Sequence, residues 1–165
     1  MRVFTFVILI LGLSACGFKP MLAKNNEGSR MLDEVRLVEV KGPDKQKLER
    51  IFLESLSGNP HASPLYDLHV TVNYSSSSMA ILKDSQTTRY RVKVNLNYRL
   101  LDAETQENID IGNLYLYSSY DVASSEFMNY IAERYVGDNV LKELCEELKT
   151  RLNLVITTRS ASQGT

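Results

Sequence analysis

The sequence feature that most restricts the fold is a strict alternation of apolar and polar side chains between residues 89 and 100. A period of two is the repeat of a β-strand, whose successive side chains point to opposite faces of a sheet. One face carries Tyr90, Val92, Val94, Leu96, Tyr98 and Leu100, and the other carries Arg89, Arg91, Lys93, Asn95, Asn97 and Arg99. The chain therefore contains a sheet with one face on a core and the other in water.

Three further strands are predicted around this one. A β-branched run predicts a strand over 34–40, and alternation predicts another over 66–74, with a resumption over 79–82 after a run of serines. A turn at 101–106 leads to a fourth strand over 108–120. The sheet is therefore expected to have four strands.

The fourth strand is apolar on both of its faces. Leu114 and Leu116 occupy one face, and the other carries Ile109, Ile111, Tyr115 and Tyr117. An antiparallel sheet with one face in water does not need two apolar faces. Either a bulge near Gly112-Asn113 exchanges the faces, or both faces are covered, which requires a partner protein for the second one.

Two helices are predicted from apolar spacings of three and four residues. The first follows Asp44, which can cap it, and stops at Gly58–Pro60. The second follows Ser124 or Ser125 and is longer, with Gly137 as a weak point or kink. Its apolar stripe consists of Phe127, Ile131, Tyr135, Leu141, Cys145, Leu148, Leu152 and Val155.

The resulting element order is β-α-β-β-β-α. It predicts the α+β class, as a two-layer sandwich in which a mainly antiparallel four-stranded sheet carries both helices on one face. The length of 165 residues suits a single domain, and its apolar fraction of 44% is that of a packed protein.

The N-terminus has the pattern of an export signal. Arg2 gives a positive start, and the apolar run over 3–13 would form a helix about 16 Å long, roughly half of the hydrocarbon core of a membrane. Such a run is too short for a membrane span and has the length of a signal-peptide core. The small residues Ser14 and Ala15 follow it, and then Cys16.

The segment Leu13-Ser14-Ala15-Cys16 resembles the lipobox of bacterial lipoproteins. This resemblance implies that the Cys16 thiol is acylated and that the signal peptide, residues 1–15, is removed. Several acyl chains anchor a protein stably, whereas one binds only marginally. Gly17 stands where an Asp would direct retention in the inner membrane, so the expected location is the periplasmic side of the outer membrane.

The mature chain is predicted to have three parts. Residues 16–33 are polar and irregular and are interpreted as a lipidated tether, residues 34–157 as the α+β domain, and residues 158–165 as a flexible polar tail.

No motif of an enzyme or of a metal site is present in the sequence. The nucleophile elbow, the P-loop and the HExxH and GxGxxG patterns are all missing. His61 and His69 have no Cys or His at ligand spacing and are interpreted as solvated, and Cys145 is interpreted as a core thiol. With 19 basic and 20 acidic residues, the chain lacks the cationic surplus of a nucleic-acid binder. A non-enzymatic protein without cofactor or metal is therefore predicted.

The polar face of the alternating strand carries a cationic row. Arg89, Arg91 and Lys93 follow one another at about 7 Å intervals along that face. Arg side chains bind phosphate groups through two parallel hydrogen bonds, so the row is a candidate phosphate-binding site. The alternative is a solvated face whose charge is balanced by acidic residues across the turn, namely Asp102, Glu104, Glu107 and Asp110.

Four short motifs in order resemble the lipopolysaccharide-assembly lipoprotein family (LptE), in particular its shorter alphaproteobacterial-type members. They are Cys16–Pro20 (CGFKP), Thr88-Arg89, Leu101–Thr105 (LDAET) and Ser119–Phe127 (SYDVASSEF). Two positions depart from the family pattern, since Met21-Leu22 stands in place of a Leu-Tyr pair and Gln106 in place of a turn glycine. The resemblance spans the mature chain and implies a fold of two helices on a four-stranded sheet.

The resemblance also implies a function. Members of this family act as a plug inside a large outer-membrane β-barrel partner (LptD-like), stabilise its assembly and help lipopolysaccharide reach the outer leaflet. Arg89, Arg91 and Lys93 would then contact lipopolysaccharide phosphates, and the barrel wall would surround the fourth strand. The alternative is an accessory lipoprotein of a periplasmic lipid-trafficking ABC transport system, which shares a similar length and layout.

Overall fold

The computed structural model describes residues 33–56, 63–81 and 87–163. They form four strands, two helices and the turns between them. In chain order the elements are β1 (Val35–Lys41), α1 (Lys45–Leu56), β2 (Tyr66–Ile81), β3 (Thr87–Asp102), β4 (Asn108–Asp121) and α2 (Glu126–Gln163). This order confirms the predicted one. The signal peptide, the tether and the Gly58–Pro60 helix stop lie outside the described residues.

The strands form one sheet in the order β1-β2-β3-β4. β1 and β2 are parallel because α1 carries the chain back between them, whereas β2, β3 and β4 are joined as antiparallel neighbours. The sheet is therefore mixed. The prediction of an α+β fold with a mainly antiparallel four-stranded sheet is confirmed.

β2 is one continuous strand. The serine run Ser75–Ser78 pairs in regular register with residues 90–93 of β3, and the first irregularity comes only after Ser78. The predicted interruption at the serines is therefore wrong, because the backbone hydrogen bonds to β3 continue where the β2 side chains are polar and exposed.

Both helices pack on the sheet face that carries the even-numbered side chains of β3. Val94, Leu96 and Leu100 are completely buried, as the alternation predicts. The helices contribute Leu48, Ile51 and Phe52 from α1, and Val140, Leu141, Leu144, Cys145, Leu148, Leu152 and Ile156 from α2. Removing each large apolar side chain from water contributes roughly 1.5–3 kcal/mol, which holds the two layers together.

α2 is a single helix of 38 residues and extends further than predicted. Residues 158–163 are helical and continue α2 into the segment interpreted as a polar tail. The Ser160 hydroxyl donates to the carbonyl of Ile156, and the Arg159 guanidinium lies 3.5 Å from the Asp102 carboxylate. The Ser160 bond lies within α2, and the Arg159–Asp102 contact joins the last turns of α2 to the end of β3.

The predicted apolar stripe of α2 is buried only in its second half. Phe127, Ile131 and Tyr135 are 69%, 44% and 66% exposed, so the first half of the predicted stripe lies outside the core. The first turns of α2 lie beside a cavity near the start of α1, where Tyr130 and Gly137 are among the lining residues. Among the residues that the structure describes, no large apolar side chain fills the space under these turns, whereas the later turns lie over the core.

The register of β4 decides between the two explanations for its apolar pattern. Pairing with β3 is regular across Gly112-Asn113, so there is no bulge at that position. Leu114 and Leu116 face the core, and the opposite face exposes more than half of each of Ile111, Tyr115 and Tyr117. Ile109 lies at a register irregularity and packs against the core. The second apolar face of β4 is therefore open to solvent in the isolated chain.

Candidate cationic and aromatic surface

The candidate site lies on the outer face of the sheet, on the side away from the helices. Lys93 of β3 is paired with Tyr117 of β4, and the neighbouring outward residue Arg91 is paired with Ser119. Tyr115 precedes Tyr117 by two residues in β4 and lies on the same face. We refer to Arg91, Lys93, Tyr115 and Tyr117 as the cationic–aromatic surface.

The two cations of this surface lie over the two tyrosine rings. The Lys93 ammonium is 4.8 Å from the Tyr115 ring centroid and 5.5 Å from that of Tyr117, and the Arg91 guanidinium is 5.6 Å from the Tyr117 centroid. The rings themselves meet edge to face at 5.7 Å. Each cation–ring contact contributes about 0.5–1 kcal/mol at an exposed site, so the rings orient the cations without neutralising their charge.

Arg89 differs from the other two cations of the predicted row. Its Nε donates to an Asp121 carboxylate oxygen at 2.7 Å, and this hydrogen bond lowers the pKa of Asp121 and raises the pKa of Arg89. Among the described residues, Arg91 and Lys93 have no carboxylate in salt-bridge contact. The structure therefore brings two of the three predicted cations together and pairs the third with an acid.

The acidic residues near the β3–β4 turn do not balance this row. Asp102 lies 3.5 Å from the Arg159 guanidinium, and Asp110 lies 3.5 Å from that of Arg151, so both contact α2. The backbone amides of Thr105 and Glu104 also donate to Asp102 and lower the pKa of its carboxyl group. The neutralisation expected for a merely solvated face is therefore not observed for Asp102 and Asp110.

An amide cluster borders the surface. The Asn113 side-chain amide donates to the Asn95 and Asn97 side-chain oxygens at 2.6 and 2.8 Å. These bonds hold β4 against β3 and give the surface a polar, uncharged edge.

Sequence reasoning did not assign Tyr115 and Tyr117 to this site. The sequence pattern identifies the two tyrosines only as apolar residues of the fourth strand, and it places the cations on the third strand. The signal that could have joined them is the antiparallel pairing of two strands that follow each other through a short turn, because cross-strand neighbours share a face.

The other titratable residues singled out from the sequence have structural surroundings. Cys145 is completely buried, and burial raises the pKa of its thiol to about 12, which agrees with a core thiol. His69 is not fully solvated, since its ring nitrogen lies 3.4 Å from the Glu39 carboxylate and only 21% of its side chain is exposed. His61 lies outside the described residues.

The described ranges 33–56, 63–81 and 87–163 lack two features. They contain no group of three His, Cys, Asp or Glu side chains placed to hold a metal ion. None of the helices in those ranges is both long enough and apolar enough to cross a bilayer.

Several solved structures of bacterial lipoproteins share this fold. A candidate lipoprotein from Caulobacter crescentus CB15 superimposes with a TM-score of 0.65 at 16% identity, over 79% of this chain and 96% of its own. Lipoprotein B from Nitrosomonas europaea gives a TM-score of 0.57 at 13% identity, over 88% and 94% of the two chains. A minor lipoprotein from Acinetobacter baumannii gives 0.52 at 15%, over 73% and 91%.

These likenesses concern the fold. No protein-family model matches the sequence, and no curated protein matches it. The described domain therefore has the α+β fold found in domains of bacterial lipoproteins. The superposition covers nearly the whole length of each of the three structures.

Proposed function

We propose that this protein is an outer-membrane lipoprotein, anchored through acylated Cys16 on the periplasmic side, that acts as a plug and assembly factor of the lipopolysaccharide translocon. In this function it binds a large β-barrel partner, LptD-like, and assists insertion of lipopolysaccharide into the outer leaflet. Three observations support the proposal: the lipobox-like N-terminus, the motifs that resemble the lipopolysaccharide-assembly family, and a fold shared with bacterial lipoproteins.

The cationic–aromatic surface is the observation on which lipopolysaccharide binding rests. Arg91 and Lys93 carry charge that no described carboxylate neutralises, and the tyrosine rings hold them on an exposed face. Lipopolysaccharide presents phosphate groups, to which guanidinium and ammonium groups form charge-assisted hydrogen bonds. Arg89 is expected to contribute less, because binding a phosphate would cost it part of its contact with Asp121.

The exposed apolar face of β4 supports a protein partner. Ile111, Tyr115 and Tyr117 are 59%, 53% and 52% exposed on one strand face. Asn113 lies between Ile111 and the two tyrosines on this face. Exposed apolar side chains grouped on one strand face mark interaction sites, and tyrosine is enriched at interfaces because its ring is apolar and its hydroxyl is polar. A barrel wall around the domain would cover this face.

The test compares lipopolysaccharide binding by two variants of equal charge change. Arg91→Glu with Lys93→Glu is expected to lower the affinity about tenfold or more, since each charge-assisted hydrogen bond contributes about 1.5–3 kcal/mol. The matched control is Arg50→Glu with Lys142→Glu, two exposed cations on the helices, which should bind like the unchanged protein. Equal losses in both variants would reduce the effect to overall charge and contradict the assignment.

Co-purification from membranes distinguishes the two transport functions. Capture of a large outer-membrane barrel protein is expected from the proposed function. Capture of an inner-membrane permease or a substrate-binding component would instead support the alternative, an accessory lipoprotein of a lipid-trafficking ABC system.

A further inference from the structure

A cavity of about 260 Å³ lies between the start of α1, the first half of α2 and the sheet. Its lining includes the apolar side chains of Leu48 and Val92 and the ring of Tyr74. Gly137 lets α2 lie close to the sheet at the edge of the cavity, because a Cβ atom there would stand 3.1 Å from the Tyr74 ring. The cavity is therefore an apolar site near the core that the described residues leave unfilled.

The rim of the cavity has an acidic surplus. Two ion pairs cross it, between Asp44 and Arg134 at 3.2 Å and between Lys47 and Asp138. Glu133 also lines the cavity and has no salt-bridge partner among the described residues. Three carboxylates against two cations favour an occupant that brings a positive charge, and they disfavour the phosphate group of an anionic lipid.

The N-terminal segment of this chain has the matching chemistry. Residues 17–24 read GFKPMLAK, which places the apolar pair Met21-Leu22 between Lys19 and Lys24 with no acidic residue. We propose that this segment docks in the cavity, with Met21-Leu22 as the apolar anchor and a flanking lysine facing Glu133. The functional consequence rests on the proposed lipid anchorage at Cys16.

The chain is long enough for this contact. From Leu22 to Asp33 it can span about 38 Å when extended. β1 covers about 23 Å, and the cavity lies just beyond its end, where Pro43 and Asp44 form part of the lining. The segment can therefore return along the molecule from the start of β1 to the cavity.

Covalent attachment makes even a weak contact effective. A short flexible linker holds two sites of one chain at an effective concentration in the millimolar range. An intrinsic Kd of about 1 mM would then keep the cavity occupied about half of the time, and burial of the Met21 or Leu22 side chain contributes to that affinity.

Docking would orient the domain relative to the membrane. Only about 17 Å of chain separate Cys16 from Met21, against about 58 Å between Cys16 and Asp33 for an undocked tether. Val92 lines the cavity, and its neighbours Arg91 and Lys93 lie on the opposite face of the same strand. The docked segment would therefore hold the cationic–aromatic surface near the lipid anchor.

Tryptophan fluorescence tests the contact, because the chain contains no Trp. The probe is Leu22→Trp in the complete mature chain with Cys16→Ser, studied without detergent so that no micelle shields the ring. Its emission should be blue-shifted and its quenching by acrylamide about twofold weaker than for the control probe Ser29→Trp, as half occupancy predicts. Equal quenching of the two probes would overturn the proposal.

Rim variants identify where the probe binds. Glu133→Lys should abolish the protection of the Trp at position 22, whereas Glu104→Lys, an equal charge change in the β3–β4 turn, should leave it intact. Unchanged protection in Glu133→Lys, or protection that rises with protein concentration as for a second copy, would also overturn the proposal. Acyl labelling of Cys16 is a separate measurement, so loss of the lipoprotein assignment would not be confused with loss of docking.

Discussion

The buried hydroxyl of Tyr98 gives a quantitative test of how the edge strand β4 is attached to β3. Tyr98 is 1% exposed, and its hydroxyl donates to the Asp110 carboxylate of β4 at 2.6 Å. Arg151 of α2 lies 3.5 Å from the same carboxylate and 5.6 Å from the Tyr98 ring centroid. The three side chains therefore join β3, β4 and α2 at one point.

Tyr98→Phe removes this hydrogen bond and keeps the ring. A hydrogen bond to a charged group contributes about 1.5–3 kcal/mol, so we expect the free energy of unfolding to fall by about 2 kcal/mol. Asp110 keeps Arg151 and is 20% exposed, which limits the penalty for its unpaired oxygen. For a domain of this size such a loss lowers Tm by about 4–8 °C.

The assay is urea and thermal unfolding of the mature chain with Cys16→Ser, followed by far-UV circular dichroism. Tyr115→Phe is the control, since that side chain is 53% exposed and should change stability by less than about 0.5 kcal/mol. A double-mutant cycle with Asp110→Ala, which removes the acceptor, should give a coupling energy near the loss in Tyr98→Phe. A Tyr98→Phe variant as stable as the unchanged protein would refute the reasoning.

Three further predictions concern the two cysteines and the free energy of unfolding at acidic pH. Cys16→Ala should abolish acyl labelling and leave the precursor uncut, and labelling that persists would exclude this attachment site. Burial raises the pKa of Cys145 to about 12, so at pH 8 a thiol reagent should modify it only as fast as the domain opens. The pKa of Asp102 is lowered below its ordinary 3.8 in the folded state, chiefly by the Thr105 amide. Its stabilisation is therefore present above pH 3.8 and is lost as the pH falls through the lowered value, so Asp102→Ala should flatten the decline of unfolding free energy measured between about pH 5 and pH 2.

Periodicity predicted the sheet well because burial follows it directly. The even positions of β3 from Val92 to Leu100 are apolar and inaccessible, and the long-range order β-α-β-β-β-α follows from where the period changes. The pattern predicts a break in β2 at the serine run because serine side chains give no sign of burial. The strand nevertheless continues there, since β3 supplies backbone partners throughout the run. Backbone pairing of this kind leaves no trace in side-chain pattern.

α2 shows the limit of a one-dimensional pattern. Phe127 and Cys145 are eighteen residues apart, which is five helical turns, so both belong to one stripe. Cys145 is completely buried and Phe127 is 69% exposed, because the core lies under only part of the helix. Apolar spacing specifies which face of a helix is apolar, but the extent of the neighbouring layers determines where that face is covered.

The sequence by itself predicted an export signal and an acylation site at Cys16, and it determined the fold class and the polarity of each face of β3, since all of these depend on residue type and local period. Tertiary structure alone decided that Arg91 and Lys93 meet Tyr115 and Tyr117 while Arg89 is paired with Asp121. The cavity beside Gly137 was likewise invisible in the sequence. The physical reason is that charge neutralisation and empty space depend on which side chains approach across strands and layers, and those distances exist only once the chain has folded.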